Sequence, residues 1–385
     1  MDATHHVYLV PGFLGFANLG RITYFGHVRR ILAECFAALG IDARIHIVGT
    51  PPTASLPTRA ARVVEGIAAT AKRGGGPLHL IGHSSGGLDV RLLTAPGVEL
   101  PTGLDVERLA ERVRTVVTVS TPHHGTPLAS FFTTLRGQQL LQLLSLNTIY
   151  VLSFGHLPLS ALLWMGNLVV RFGNLVANSE LLDELFGRLL EDFTVGRRRA
   201  LRALLSEVVR DQALMLQLTP EAMEVFNASV LPRPGIRYGV VVAQAARPSL
   251  RATLGVGFDP TAQVTHALYG ALHQLIATAP VRPSRRLAPD QARVLRRAYR
   301  TTPSTGANDG IVPTLSQVWG HVIHAAVADH LDALGHFRDA AHRPPHVDWL
   351  VSGSGFDRPR FEALWRDVMR FLVGDTRKRP RVVSD

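Results

Sequence analysis

Short apolar runs rich in β-branched residues recur along the 385-residue chain, separated by segments of helical periodicity. "HVYLVPG", "ARIHIVG", "LHLIG", "RTVVTVS", "RYGVVVAQ" and "HVIHAAV" each read as a strand. Between the early ones lie helical patterns: "GHVRRILAECFAALG" with a glycine stop, "PTRAARVVEGIAATAKRGGG" opening after a proline, and "GGLDVRLLTA". The strands are nearly continuous in apolar residues rather than alternating, as strands covered on both faces are. Strand–helix alternation therefore predicts an α/β fold, with a mostly parallel central sheet flanked by helices.

Two long excursions interrupt this rhythm inside what reads as one domain over 1–385. The first spans 127–230, and no charged side chain falls between Arg136 and Arg171. Membrane spans need about 20 mainly apolar residues, so a span is the obvious competitor. Gln139, Gln142, Asn147, His156, Pro158 and Asn167 are spread through the run, and breaks near Gly155 and Pro158 would leave two shorter pieces. A large, mobile apolar cap (lid) over an active site accounts for this better than a span; the plain alternative is helices packed permanently on the core. The second excursion, 247–305, carries Pro- and Arg-rich stretches that predict surface loops around one short helix.

Composition narrows the picture. Hydrophobic residues make up 46% of the chain, ample for a large core. The single cysteine, Cys35, excludes an internal disulfide and any multi-cysteine metal cluster, and its place in a helical pattern reads as packing. The formal charge of +11 comes mostly from arginines scattered through helices. No nucleic-acid motif accompanies them, so nucleic acid is not expected as a partner, whereas peripheral contact with acidic lipid is. The start, "MDATHHVYLVPGF", shows no signal-peptide pattern, which predicts a cytoplasmic or membrane-peripheral protein while leaving export open.

The candidate chemistry centres on Ser84. In "LHLIGHSSGGLDV" it sits between Gly82 and Gly86, after a predicted strand and before a predicted helix. A glycine-rich turn explains this blandly; a nucleophile elbow explains it sharply, because the glycines permit the tight turn that exposes the serine. A serine hydroxyl needs a base and an acid that orients the base. Asp309 in "STGANDGIVPT" and His330 just past "HVIHAAV" follow in the required order. Alone, Asp309 would be a turn residue and His330 a surface histidine among 17, with His321, His324, His336, His342 and His346 nearby. As an ordered set on strand ends, the three read as a triad. Oxyanion donors would be the backbone N–H groups of Ser85, after the nucleophile, and Phe13, in the loop after the first strand.

With these motifs in place the chain resembles the bacterial triacylglycerol lipases of the α/β-hydrolase superfamily. "VYLVPGFLG" resembles the oxyanion strand and loop, "LIGHSSGGLDVR" the elbow, "VVTVSTPHHGTPLA" the entry to the lid, and "NDGIVP" and "DHLDALGHF" the acid and histidine motifs. The resemblance implies the α/β-hydrolase fold and hydrolysis of lipid esters through an acyl-enzyme on Ser84, with no cofactor required for the chemistry. Two departures stand out. Pro11-Gly12 replaces the family's usual His-Gly, and "GHFRDAAHRPP" departs from the family's pattern after the histidine. Many relatives hold a structural calcium near that histidine; Asp332 matches one ligand, but reads equally as a loop or capping residue. A short-chain esterase, an acyltransferase with the same triad, and a non-catalytic scaffold used for binding remain the alternatives.

Overall fold

The computed structural model describes residues 3–13, 24–71, 75–154, 162, 187, 189–279 and 287–374. All six expected strands form: β1 (His5–Val10), β2 (Ala43–Ile47), β3 (Leu78–His83), β4 (Val113–Val119), β5 (Arg237–Gln244) and β6 (His321–Val327). They make one parallel sheet in the order β2-β1-β3-β4-β5-β6. Their burial explains the sequence pattern. β3 is buried at every position, and β1 and β4 are buried at nearly all, whereas the edge strands β2 and β6 are only partly covered.

The chain runs outward from β1 to β2 and returns to place β3 on the other side of β1. That reversal opens a crevice at the carboxyl ends of β1 and β3, where open α/β sheets bind ligands. The loop after β1 and the turn after β3 both end there. Helix α1 (Gly26–Ala38) packs with α13 (Arg358–Val373), and α2 (Leu56–Thr70) packs with α3 (Gly86–Thr94).

The α2–α3 contact contains a buried ion pair. Arg59 and Asp89 are both fully buried, with Nη2 2.7 Å from Oδ2 and Nε within 3.2 Å of both carboxylate oxygens. The remaining guanidinium donors reach the Pro51 carbonyl at 2.6 Å and the Pro11 carbonyl at 2.9 Å. One side chain thus ties the loop after β1 to the helix that follows β3. Burial pushes the Asp89 carboxyl up to about 6, while Arg59 pulls it back down.

Within the first excursion, α5 (Pro127–Phe132), α6 (Leu135–Phe154), α7 (Val195–Arg210), α8 (Ala213–Gln217) and α9 (Pro220–Ser229) are described. The expected breaks at Gly155 and Pro158 lie outside the described residues. No described helix is long and apolar enough to cross a membrane. The second excursion departs from expectation. Instead of loops around one short helix it holds α10 (Leu250–Gly255), the 19-residue α11 (Pro260–Thr278) and α12 (Pro289–Tyr299). Asp259 caps α11 through Thr261 N–H, and Leu268, Tyr269, Leu272 and Ile276 bury one face. That i, i+4 spacing outweighs the Pro- and Arg-rich flanks.

Candidate active site

Ser84 has φ of 54°, the left-handed region that costs an L-residue about 1–2 kcal/mol. Its neighbours enforce it. A Cβ built on Gly82 would lie 2.3 Å from the Gly86 carbonyl oxygen, and one on Gly86 would lie 2.3 Å from the Val10 oxygen. Gly87, which the motif did not single out, is equally constrained: its Cβ would meet Thr121 Oγ1 at 2.0 Å. The loop after β1 presses on the serine itself, since a Cβ on Gly12 would sit 2.5 Å from Ser84 Cβ. Phe13 follows in that loop and lines the cavity above Ser84, while Ser85 is the N-cap of α3. Both expected oxyanion donors therefore belong to the two segments that touch at the serine.

Asp309 and His330, 21 residues apart, are brought together: His330 Nδ1 lies 2.8 Å from Asp309 Oδ2. That bond places the ring proton on Nδ1 and leaves Nε2 as the basic atom. Asp309 also performs the turn role its sequence context offered. Its Oδ1 accepts from the Ile311 and Val312 N–H groups at 2.9 and 2.7 Å, and Gln317 Nε2 donates to Oδ2 at 3.1 Å. The turn contacts and the histidine contact fall on different oxygens of Asp309. Among the competing histidines, His324 is in β6 and pairs with Asp367, whereas His336 bonds the Tyr24 carbonyl.

Ser84 and His330 line one cavity of about 660 Å³. Its walls are apolar, and the first excursion supplies a large part of them through Leu128, Phe132, Leu141, Leu144, Met215 and Leu218. Trp349, Ile311 and Val312 line it as well.

A second histidine, His83, was not singled out in sequence beyond its place beside Ser84. Its Nε2 donates to the His330 carbonyl at 2.8 Å, and the Tyr24 hydroxyl donates to Nδ1 at 2.6 Å. Burial, then the nearby His330, lowers its pKa well below the usual histidine value. Neutral His83 with this tautomer fixes the backbone that carries His330. Only the tertiary contact reveals the role, because Tyr24 lies 59 residues away.

Asp332 lies 3% exposed in a short 3-10 turn, and its Oδ2 accepts from Asp329 N–H at 2.8 Å. The bond spans His330, so Asp332 braces the loop that carries this histidine. Burial, then repulsion from Asp329 and Asp348, raises its pKa well above the carboxylate range. Asp329 Oδ2 and Asp348 Oδ1 are buried without hydrogen-bond partners among the described residues. Calcium takes hard oxygen donors, but among the described residues these three carboxylates are not a group whose oxygens all lie within 4.8 Å of one another.

No family model matches the chain, and no curated protein matches it. Solved structures do. Lipase 1 from Pelosinus fermentans aligns over 96% of this chain and 99% of its own, with 17% identity and a TM-score of 0.51. EstA from Clostridium botulinum aligns over 97% of this chain and 88% of its own, at 17% identity and a TM-score of 0.49. A metagenomic carboxyl esterase, MGS0156, aligns over 97% of this chain and 76% of its own, at 16% and 0.49. The likeness to the Pelosinus enzyme establishes the shared α/β-hydrolase fold.

His83 gives a pH-dependent stability with a definite sign. Its folded pKa lies below the unfolded value of about 6.5, so its contribution is full above 6.5 and is lost as pH falls below it. Thermal melts of wild type and His83→Gln between pH 4.5 and 8 are expected to converge toward the acid end. A difference that is constant with pH would contradict the neutral, buried assignment.

Proposed function

We propose that this α/β-hydrolase-fold chain is a serine ester hydrolase acting on esters with an apolar acyl group. The observation carrying this reading is the joint placement of a strained Ser84 and an Asp309-bonded His330 on one apolar cavity. In the proposed reaction, His330 Nε2 takes the Ser84 hydroxyl proton as Oγ attacks the ester carbonyl carbon. The developing oxyanion is held by the Phe13 and Ser85 N–H groups, and Asp309 stabilises the imidazolium that forms. His330 then protonates the departing alkoxide, leaving an acyl-enzyme. Water, deprotonated by the same nitrogen, attacks the acyl carbon and releases the acid and free Ser84.

The cavity's leucines and Phe132 would hold the acyl chain, with the 127–230 segment as cap. Relatives in fold carry the words lipase and carboxyl esterase, and the apolar wall favours a lipid-like chain over acetate. Calcium, when bound, would meet Asp332 and offset carboxylate charge beside the His330 loop. The residues of the triad perform every chemical step without it.

Hydrolysis of p-nitrophenyl esters from acetate to palmitate tests the reading directly. Wild type is expected to prefer medium or long chains, and Ser84→Ala to lose roughly 10³-fold or more of kcat. Equal activity in the two proteins would sink the mechanism, and activity confined to acetate would replace lipid-like esters by short ones. For calcium, millimolar Ca²⁺ added after EDTA treatment should raise the Tm of wild type but not of Asp332→Asn. Identical responses would remove Asp332 from the site.

A further inference from the structure

The loop that follows the short 3-10 turn after His330 folds back onto α1, and three histidines converge where they meet. His27 lies in the first turn of α1, and His342 and His346 lie in "HRPPH". Each offers a ring nitrogen, and these three atoms all lie within 4.8 Å of one another. The rings of His27 and His346 are stacked with centroids 3.7 Å apart, and those of His342 and His346 are 4.8 Å apart. Neither the triad nor the cavity uses any of them.

Among the described residues, the hydrogen bonds around two of these rings leave a buried nitrogen bare. His346 Nδ1 donates to the Gly335 carbonyl at 2.6 Å, so its Nε2 carries a lone pair, and that buried atom has no hydrogen-bond partner. His342 Nδ1 donates to the Pro344 carbonyl at 2.8 Å, which likewise leaves Nε2 as an acceptor. His27 Nδ1 is buried without a partner. Two buried imidazole nitrogens left unbonded side by side cost free energy that a ligand would recover. Metal-binding histidines characteristically donate the second ring N–H to a backbone carbonyl, the arrangement seen at His342 and His346.

We propose that His27, His342 and His346 bind a borderline divalent transition-metal ion, of which Zn²⁺ is the representative. Three neutral imidazoles select for such ions over calcium or magnesium, which prefer oxygen. The H-x₃-H spacing of His342 and His346 falls in the range used by zinc sites. Zn–N bonds of 2.0–2.1 Å at tetrahedral angles put the nitrogens about 3.3 Å apart, so the stacked His27 and His346 rings turn about their side-chain bonds to face one ion. One group opposes this. Arg30 donates to His342 Nε2 and must swing away; it is partly exposed, and Glu34 stands 3.6 Å from its Nε to receive it. A water completes the coordination.

The ion would clamp the loop after Gly335 to α1. Gly335 has φ of 95°, and a Cβ there would lie 2.7 Å from His27 Cβ, so the loop already passes as close to the helix as a glycine permits. Next to it, His336 Nε2 bonds the Tyr24 carbonyl, and Tyr24 in turn bonds His83 beneath His330. The clamp therefore braces the segment that positions the catalytic base without touching the reacting atoms.

The test uses the full-length, untagged protein stripped of metal and read without any ester substrate. Co²⁺ is expected to bind at one equivalent with the visible bands of a low-coordinate nitrogen site, Zn²⁺ to displace it, and Zn²⁺ to raise the Tm by a few degrees. His342→Ala, a loop substitution outside the core, should keep the metal-free Tm and lose affinity roughly 10- to 100-fold or more. His346→Gln provides a second loss on the same loop. Stoichiometric binding that survives unchanged in His342→Ala, or no stoichiometric binding by wild type, would overturn the site.

Discussion

Ser84 is where it is because three backbone segments meet with no room for a side chain at Gly12, Gly82 or Gly86. The loop after β1, the turn after β3 and the first turn of α3 approach so closely that Gly12, Gly82 and Gly86 could not carry a Cβ without collision. The same closeness accompanies the serine's positive φ and sets Gly12 against its side chain. Strain of about 1–2 kcal/mol persists only where surrounding contacts overdetermine it. Here the fully buried Arg59 does much of that, holding Asp89 of α3 and the Pro11 carbonyl in one guanidinium. Removing one partner of such a pair typically costs about 3–5 kcal/mol, because the other is left buried and uncompensated.

From that junction the rest of the site is built by reach. β5 and β6 bring Asp309 and His330 to the same sheet edge, and Asp309 divides its oxygens between shaping its own turn and orienting the histidine. His83, one residue before the serine, holds the His330 carbonyl from below and is itself held by Tyr24. The proposed nucleophile and base thus share a support as well as a cavity. The apolar excursion then walls that cavity with leucines, which is why a charge-free stretch could belong to a protein with no described membrane-spanning helix.

The sheet was legible because its central strands, covered on both faces, are almost wholly apolar, and the partly covered edge strands β2 and β6 still carry β-branched apolar residues. Ser84, Asp309 and His330 were legible because an ordered motif constrains residue type and spacing together. What escaped depended on contacts between distant segments. Arg59 looks like any helical arginine until it meets Asp89, and Tyr24 and His83 carry no local mark of their bond. The surplus histidines, seen in sequence only as competitors to His330, turned out to be placed: His336 on Tyr24, His342 and His346 against His27. The helix α11 was expected only as one short helix, and its length was missed for a different reason. Its buried face was readable, but prolines and arginines on either side obscured it.

The central claim is that Ser84 is a nucleophile activated by His330, and covalent trapping tests it most directly. A fluorophosphonate bearing an alkyl chain should add once to the native protein, with the adduct located on Ser84 by peptide mass spectrometry. His330→Ala should slow that labelling strongly while remaining folded. Labelling at a different serine, or a rate unchanged in His330→Ala, would contradict the account.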